Sequence, residues 1–339
     1  MARWKLSTWI AAAAAAGAVS FGTPVFAEKN EVTLASQFGI GFMPLAIMEH
    51  RDLVKKHADK AGLTDVKVNW RRFNGSDTMV SGLISGSVDV ISVGVPASIM
   101  LWEKTKGTPQ EVRMLGPLGA VPMMLITRNP RIKSLKDFSR EDRIAVPNLK
   151  TSMNAVALQF AAAELYGKDK KFHFDDLLVT MSQPDAANGM LSGVKGFETV
   201  FSTPPFQYRI LEGKDMKVLL NTFEQMGPYT YANAVATMKF RNENPKLFAA
   251  VAAALREAQD IIEKDHKAAV REWMTATNSK LPYETVAKVL DERGTNWGPT
   301  PQGVEKIGKF MVDVGLVKTA PATWDAIYFP ETVKGLKGN

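Results

Sequence analysis

Short β-like runs alternate with helix-like stretches along most of this chain, and that alternation limits the folds it can form. Val66–Phe73 is one such run, with apolar side chains alternating along one face as in a strand. The turn at 74–76 follows it, and a helix from Asp77 to Ser85 comes next. The same alternation of strand-like and helix-like segments recurs over 88–104, 143–167 and 177–202. Repeated βαβ units favour a mainly parallel sheet flanked by helices, so the sequence predicts an α/β fold.

A weak internal duplication indicates two copies of this pattern. In the first copy, a helix from Asp77 ends at Gly86 and is followed by a strand and then by Pro96. The second copy has the corresponding positions at Asp185, Gly193 and Pro204. Any two α/β units share some of this order, so a chance likeness stays open as the alternative to two similar lobes.

Two stretches that look extended, Leu115–Thr127 and Leu219–Ala234, separate the copies and are interpreted as crossovers between lobes. The first lobe is then discontinuous and comprises 28–118 and 228–339, while 119–227 form the second lobe. The C-terminal part is rich in helix formers, above all Phe248–Ile262. We expect these helices to wrap the first lobe.

Residues 1–27 have the features of a cleavable secretion signal. Arg3 and Lys5 precede an apolar stretch from Trp9 to Val19, and Val25-Phe26-Ala27 fits a small-x-small cleavage site. The alternative is a membrane anchor, but the apolar run is shorter than the roughly 20 residues that a span needs. We predict a signal peptide over 1–27 and a mature protein in a periplasmic space.

Composition excludes several classes of function. The 339 residues include no cysteine, which removes thiol nucleophiles, disulfides and cysteine-ligated metals, and the four histidines are scattered. The net charge of +7 comes without a basic block interleaved with aromatic residues, so nucleic acid is not an expected partner. No dinucleotide, Walker or nucleophile-elbow motif occurs. We expect no catalytic residues, no metal and no cofactor.

Small polar residues at the ends of the predicted strands are the remaining candidates for a site. Ligands of open α/β sheets bind beyond the carboxyl ends of the strands, and helix N-termini there favour anions. Ser76 and Ser152 either bind a ligand or cap helices, and Phe38 and Phe206 either line a cleft or pack in the core. Arg72 and Lys150 are candidates for a counter-charge, with solvation as the alternative.

Several stretches resemble the substrate-binding proteins of the nitrate/sulfonate/taurine family of ABC importers. They are SQFGIGFMPLAIMEHRDLVKKHADKAGL, FNGSDTMVSGLISGSVDVISVGVPASIML, SLKDF with RIAVPNLKTSMNAVALQFAA, PDAANGMLSG and FSTPPFQYRIL. The resemblance implies a two-lobed type II periplasmic-binding fold. It also implies that the cleft is lined by Ser36, Gln37, Phe38, Gly75, Ser76, Val95, Pro96, Thr151, Ser152, Pro204, Phe206 and Tyr231.

The function implied by this resemblance is capture of a small anionic solute by a monomer that delivers it to a membrane permease driven by an ATPase. Nitrate, sulfonates and organic acids all stay open as ligands. Two alternatives also stay open: an enzyme of pyrimidine or thiamine-precursor chemistry on the same fold, and a sensory module.

Overall fold

The computed structural model describes residues 28–149, 152–194 and 196–339. The predicted signal peptide therefore lies outside the described residues. Within those residues there are ten strands: β1 (Glu31–Ser36), β2 (Lys67–Arg72), β3 (Val90–Gly94), β4 (Val112–Gly119), β5 (Met124–Thr127), β6 (Ile144–Val146), β7 (Leu178–Thr180), β8 (Thr199–Ser202), β9 (Lys217–Asn221) and β10 (Ala232–Thr237).

The helices fall into two groups along the chain. Those among the strands are α1 (Met43–His50), α2 (Leu53–Lys60), α3 (Ser76–Ser85), α4 (Val95–Thr105), α5 (Met153–Tyr166), α6 (Gln183–Ser192), α7 (Phe206–Leu211) and α8 (Thr222–Met226). The C-terminal group is α9 (Met238–Glu243), α10 (Pro245–Lys264), α11 (His266–Ala276), α12 (Tyr283–Ala287), α13 (Val304–Asp313) and α14 (Pro330–Val333).

The strands form two sheets with the same topology. The first sheet has the order β2-β1-β3-β10-β4 and the second has the order β7-β6-β8-β5-β9. In each sheet the first three strands are parallel and the fourth is antiparallel to both of its neighbours. We call each sheet, with the helices packed on it, a lobe. The predicted two-lobed α/β fold is confirmed.

The duplicated segments occupy equivalent places in the two lobes. β3 and β8 are each the third strand of their sheet, and α3 and α6 precede them. Both helices end at a glycine in the left-handed region, Gly86 at φ 78° and Gly193 at φ 75°. Because a Cβ is disfavoured in that conformation, glycine is the residue that suits both helix ends. The repeat in the sequence therefore reports a repeat in the fold.

Each crossover leads into the strand that is antiparallel to its neighbours in the sheet that the chain enters. The chain leaves the first sheet at β4 and enters the second at β5, and it returns from β9 to β10. The prediction that both crossovers are extended was wrong for the second, because α8 lies within it. Asn221 starts this helix, since its side chain accepts a hydrogen bond from the N–H of Phe223 at 2.9 Å.

The helical stretch between β1 and β2 consists of two helices, α1 and α2. The break lies at Asp52, which adopts a left-handed conformation with φ 51°. The C-terminal helices do pack on the first lobe, because α10 lies against α1 and α2 while α11 lies against α1. Among the described residues, no helix has the length and apolar character needed to cross a membrane.

Candidate functional site

The carboxyl ends of the parallel strands in the two lobes face each other. Register in the first sheet places Ser36 beside Arg72, each the last residue of its strand. The loop after β1 reaches the second lobe, where the N–H of Ile40 donates to the carbonyl of Pro204 at 3.1 Å. At the start of α3, Asp77 accepts a hydrogen bond from the side-chain amide of Asn148, which follows β6.

A cavity of about 420 Å³ opens beside these interlobe contacts. Its wall is mainly apolar and includes Phe38, Phe42, Pro205, Phe206, Trp273 and Leu281. Ser36, Gln37, Asn188, Asn278 and Ser279 add hydroxyl and amide groups. We call it the aromatic cavity. Apolar walls with a few convergent polar groups are typical of small-molecule sites.

Two cations, and none of the described carboxylates, line the aromatic cavity. Arg72 lies 3.3 Å from Glu49, whose carboxylate partly balances it from outside the wall. Burial raises the pKa of Glu49 and Arg72 opposes that shift. Lys280 donates only to the amide oxygen of Asn278, at 2.7 Å, among the residues that the structure describes. The cavity therefore presents an excess of positive charge next to apolar walls.

A second cavity of about 590 Å³ shares Arg72 with the first and lies between the starts of α3 and α6. Its lining includes Gly75, Asp77, Ser182 and Asp185. Two carboxylates make this space less favourable for an anion than the aromatic cavity, since like charges repel across it.

A third cavity, about 620 Å³, lies on the outer side of the first lobe, against α10 and α14. It is the largest of the three, yet it is remote from the carboxyl ends of the strands. Ligands of open α/β sheets bind at those ends. The location of the aromatic cavity therefore makes it the better candidate for the ligand site.

No protein-family model and no curated protein sequence matches this chain. Solved structures do match. The alkanesulfonate-binding protein SsuA from Xanthomonas axonopodis pv. citri, bound to MOPS, has a TM-score of 0.63 and 15% identity, covering 92% of this chain and 100% of that one. The aliphatic sulphonate binding protein SsuA from Escherichia coli has a TM-score of 0.61 and 19% identity, covering 91% and 96%.

A ligand-binding component of an ABC-type import system from Staphylococcus aureus, with zinc bound, has a TM-score of 0.66 and 16% identity, covering 91% of this chain and 99% of that one. These likenesses span nearly the whole length of both chains at low identity. The chain has the periplasmic binding protein fold.

On this periplasmic binding fold, the structure brings together four cleft residues that the resemblance implies, beside the counter-charge candidate Arg72. Ser36, Gln37, Phe38 and Phe206 all line the aromatic cavity, the first three from the first lobe and Phe206 from the second. The side-chain amide of Gln37 donates to the carbonyl of Ser92 at 2.9 Å, which fixes its orientation. Phe38 and Phe206 are half-buried and face the cavity, so the interpretation as walls suits them.

The structure places the two predicted serines differently. Ser152 caps α5: its hydroxyl accepts from the N–H of Ala155 at 3.2 Å and donates to the carbonyl of Asn148 at 2.7 Å. Ser76 is buried as the first residue of α3, and its hydroxyl makes no capping hydrogen bond because Gly75 holds the cap position. Ser152 is therefore the N-cap of α5, whereas Ser76 follows the N-cap position of α3, which Gly75 holds.

The other predicted residues that the structure describes lie near the cleft without lining the aromatic cavity. Gly75 lines the second cavity. Val95 and Pro96 are buried at the start of α4, and Pro204 is buried where its carbonyl meets Ile40. Thr151, like Lys150, lies outside the described residues.

Tyr231 lies behind the cleft and is buried against Phe42, with ring centroids 5.4 Å apart. Burial raises the pKa of its hydroxyl far above the ordinary value, and the Thr203 hydroxyl beside it opposes that shift. The side chain therefore stays neutral and serves as packing behind the first-strand loop.

Sequence reasoning missed the contribution of the C-terminal helices to the cavity. Trp273 and the turn at 277–281 form one wall of it. These residues follow no strand, so the rule that directed attention to strand ends does not reach them. The polar sequence Asn278-Ser279-Lys280 between two helices predicts a loop. It does not predict which cavity that loop borders.

Proposed function

We propose that this protein is the solute-binding component of an ABC importer and that it captures a small organic anion carrying an apolar group. The observation that carries the proposal is the aromatic cavity, which both lobes line and which holds two cations beside apolar walls. A sulfonate or carboxylate head satisfies the cations and the amides, while a short hydrocarbon part contacts Phe38, Phe206 and Trp273.

The size and lining of the cavity favour an organic anion over nitrate. A volume of about 420 Å³ exceeds what a four-atom ion fills, and nitrate has no apolar surface for the aromatic walls. Sulfonate-binding proteins are among the structural neighbours, which supports the same class of ligand.

The proposal includes closure of two bodies, 28–118 with 228–339 and 119–227, about the crossovers. A ligand that contacts both lobes favours the closed arrangement, because only that arrangement offers all of its contacts. The closed protein then docks on a permease driven by an ATPase, after secretion by the signal peptide predicted over 1–27. The role is transport without chemical change of the solute.

The test is a ligand panel measured by thermal unfolding and calorimetry on the chain without residues 1–27. The panel contains short alkanesulfonates, MOPS, the matching carboxylates, their neutral amides and nitrate. We expect sulfonates or carboxylates to raise the melting temperature, because a ligand that binds only the folded state stabilises it. Neutral amides and nitrate are expected to give little change.

Phe206→Ala should weaken binding of the best ligand about 5- to 100-fold, the range that corresponds to losing one large apolar contact. Phe172→Ala is the matched control, because Phe172 is an exposed phenylalanine of the second lobe and lines neither cleft cavity. A panel in which no anion binds, or in which nitrate binds more tightly than every organic anion, contradicts the proposal.

A further inference from the structure

One wall of the aromatic cavity comes from a C-terminal segment that touches both lobes. We call residues 277–292 the strap; it contains the turn at 277–281, α12 and the short turn after it. The strap follows α11, which packs on α1 of the first lobe. There Glu272 accepts two hydrogen bonds from Arg51, at 2.7 and 2.6 Å.

The far end of the strap is bonded to the second lobe. The hydroxyl of Thr285 donates to Glu212, just beyond α7, at 2.6 Å, and Lys288 donates to the same carboxylate at 3.3 Å. Glu292 accepts a hydrogen bond from Asn221, at the end of β9, at 3.0 Å. Thr285 is buried, whereas the carboxylate of Glu212 is partly exposed, so their bond is partly shielded from water. The strap thus connects the lobes through side-chain hydrogen bonds, separately from the two crossovers.

The strap also carries the cation of the cavity that the described carboxylates leave unbalanced. Arg72 has Glu49 at 3.3 Å, whereas Lys280 has only the neutral amide oxygen of Asn278 at 2.7 Å. When an anionic group of the ligand replaces the Asn278 amide as the acceptor for Lys280, the acceptor is charged and no longer neutral. Charge-assisted hydrogen bonds of this kind are stronger than hydrogen bonds to neutral acceptors.

We propose that Lys280 is the residue that selects for an anionic ligand, and that the anchors of the strap at Glu212 and Glu292 hold it in place. The ligand then binds to a strap that is fixed to both lobes. The residue that recognises the charge of the ligand therefore lies in the strap and not at a strand end. This inference rests on the proposed function, since it names the residue that reads the ligand's charge in the same cavity.

The experiment compares an alkanesulfonate that binds the wild type with its neutral sulfonamide. We expect Lys280→Gln to bind the sulfonate about 10- to 100-fold more weakly, as expected for the loss of a charge-assisted hydrogen bond. Its affinity for the sulfonamide and its melting temperature without ligand should stay unchanged. Lys267→Gln is the matched control, because it removes an exposed lysine of α11 that does not line the cavity.

The anchor is tested separately with Thr285→Val, which keeps the shape of the side chain and removes the bond to Glu212. We expect the sulfonate to dissociate several-fold faster in stopped-flow measurements. If Lys280→Gln binds the sulfonate as tightly as the wild type, the charge-reading role is wrong although the proposed function stands. An unchanged dissociation rate in Thr285→Val removes the anchoring role, and a wild type that binds no anion overturns the proposed function instead.

Discussion

The substitution Gly75→Ala adds one methyl group at a position where the two lobes approach each other closely. Gly75 precedes α3 in the first lobe, and a Cβ at this position would lie 3.0 Å from the carbonyl oxygen of Pro147 in the second lobe. Its backbone is extended, with φ −164°, which any residue adopts without strain. Gly75→Ala therefore adds a contact across the cleft without straining its own lobe.

The magnitude follows from that distance. A carbon–oxygen approach of 3.0 Å requires the lobes to separate by a few tenths of an ångström, and overpacking of this kind costs roughly 1–2 kcal/mol. Under the proposed closure of the lobes, this cost falls on the closed arrangement, so we expect it to appear in ligand affinity. Since about 1.4 kcal/mol corresponds to a factor of ten, we expect binding to weaken about 5- to 30-fold.

Calorimetric titration of the best organic anion from the panel measures this effect. Gly94→Ala is the matched control, because its Cβ would lie 3.5 Å from the backbone nitrogen of Met153, an ordinary contact across the same cleft. We expect that variant to bind like the wild type, and both variants to keep their melting temperature without ligand. Equal affinities for Gly75→Ala and the wild type would refute the close approach of the lobes in the bound state.

Two further predictions concern stability. Ser152→Ala should lower the free energy of unfolding by about 1–2 kcal/mol in urea titrations, because the N-cap of α5 is lost. Ser76→Ala should lower it by less, because Gly75 and not Ser76 holds the N-cap position of α3. The Thr285 hydroxyl and Lys288 hold the pKa of Glu212 below its ordinary value of 4.5, so the carboxylate stabilises the folded state above that pH, and the stability is lost as pH falls through the lowered pKa. The melting-temperature difference between the wild type and Glu212→Gln should shrink below pH 4.5; a constant difference down to pH 3 would contradict this.

The strand-end residues of the candidate site could be predicted because their positions follow from local patterns. Ser36 ends a strand, Gln37 and Phe38 follow it, and Phe206 begins a helix after another strand, so the rule for open sheets applies to them. The resemblance also implied Val95 and Pro96 as cleft residues, which the structure buries at the start of α4. Position after a strand does not tell whether a side chain points to a cavity or to the core.

The fold class and the internal repeat could be predicted from the sequence alone. They depend on hydrophobic periodicity and on glycines such as Gly86 and Gly193 that end helices, and both are properties of neighbouring residues. Only the tertiary structure decided that Trp273 and Lys280 join the wall of the cavity and that the strap bonds to Glu212. These contacts join residues about 70 to 240 positions apart, and no local pattern encodes which distant surfaces meet when helices and sheets pack.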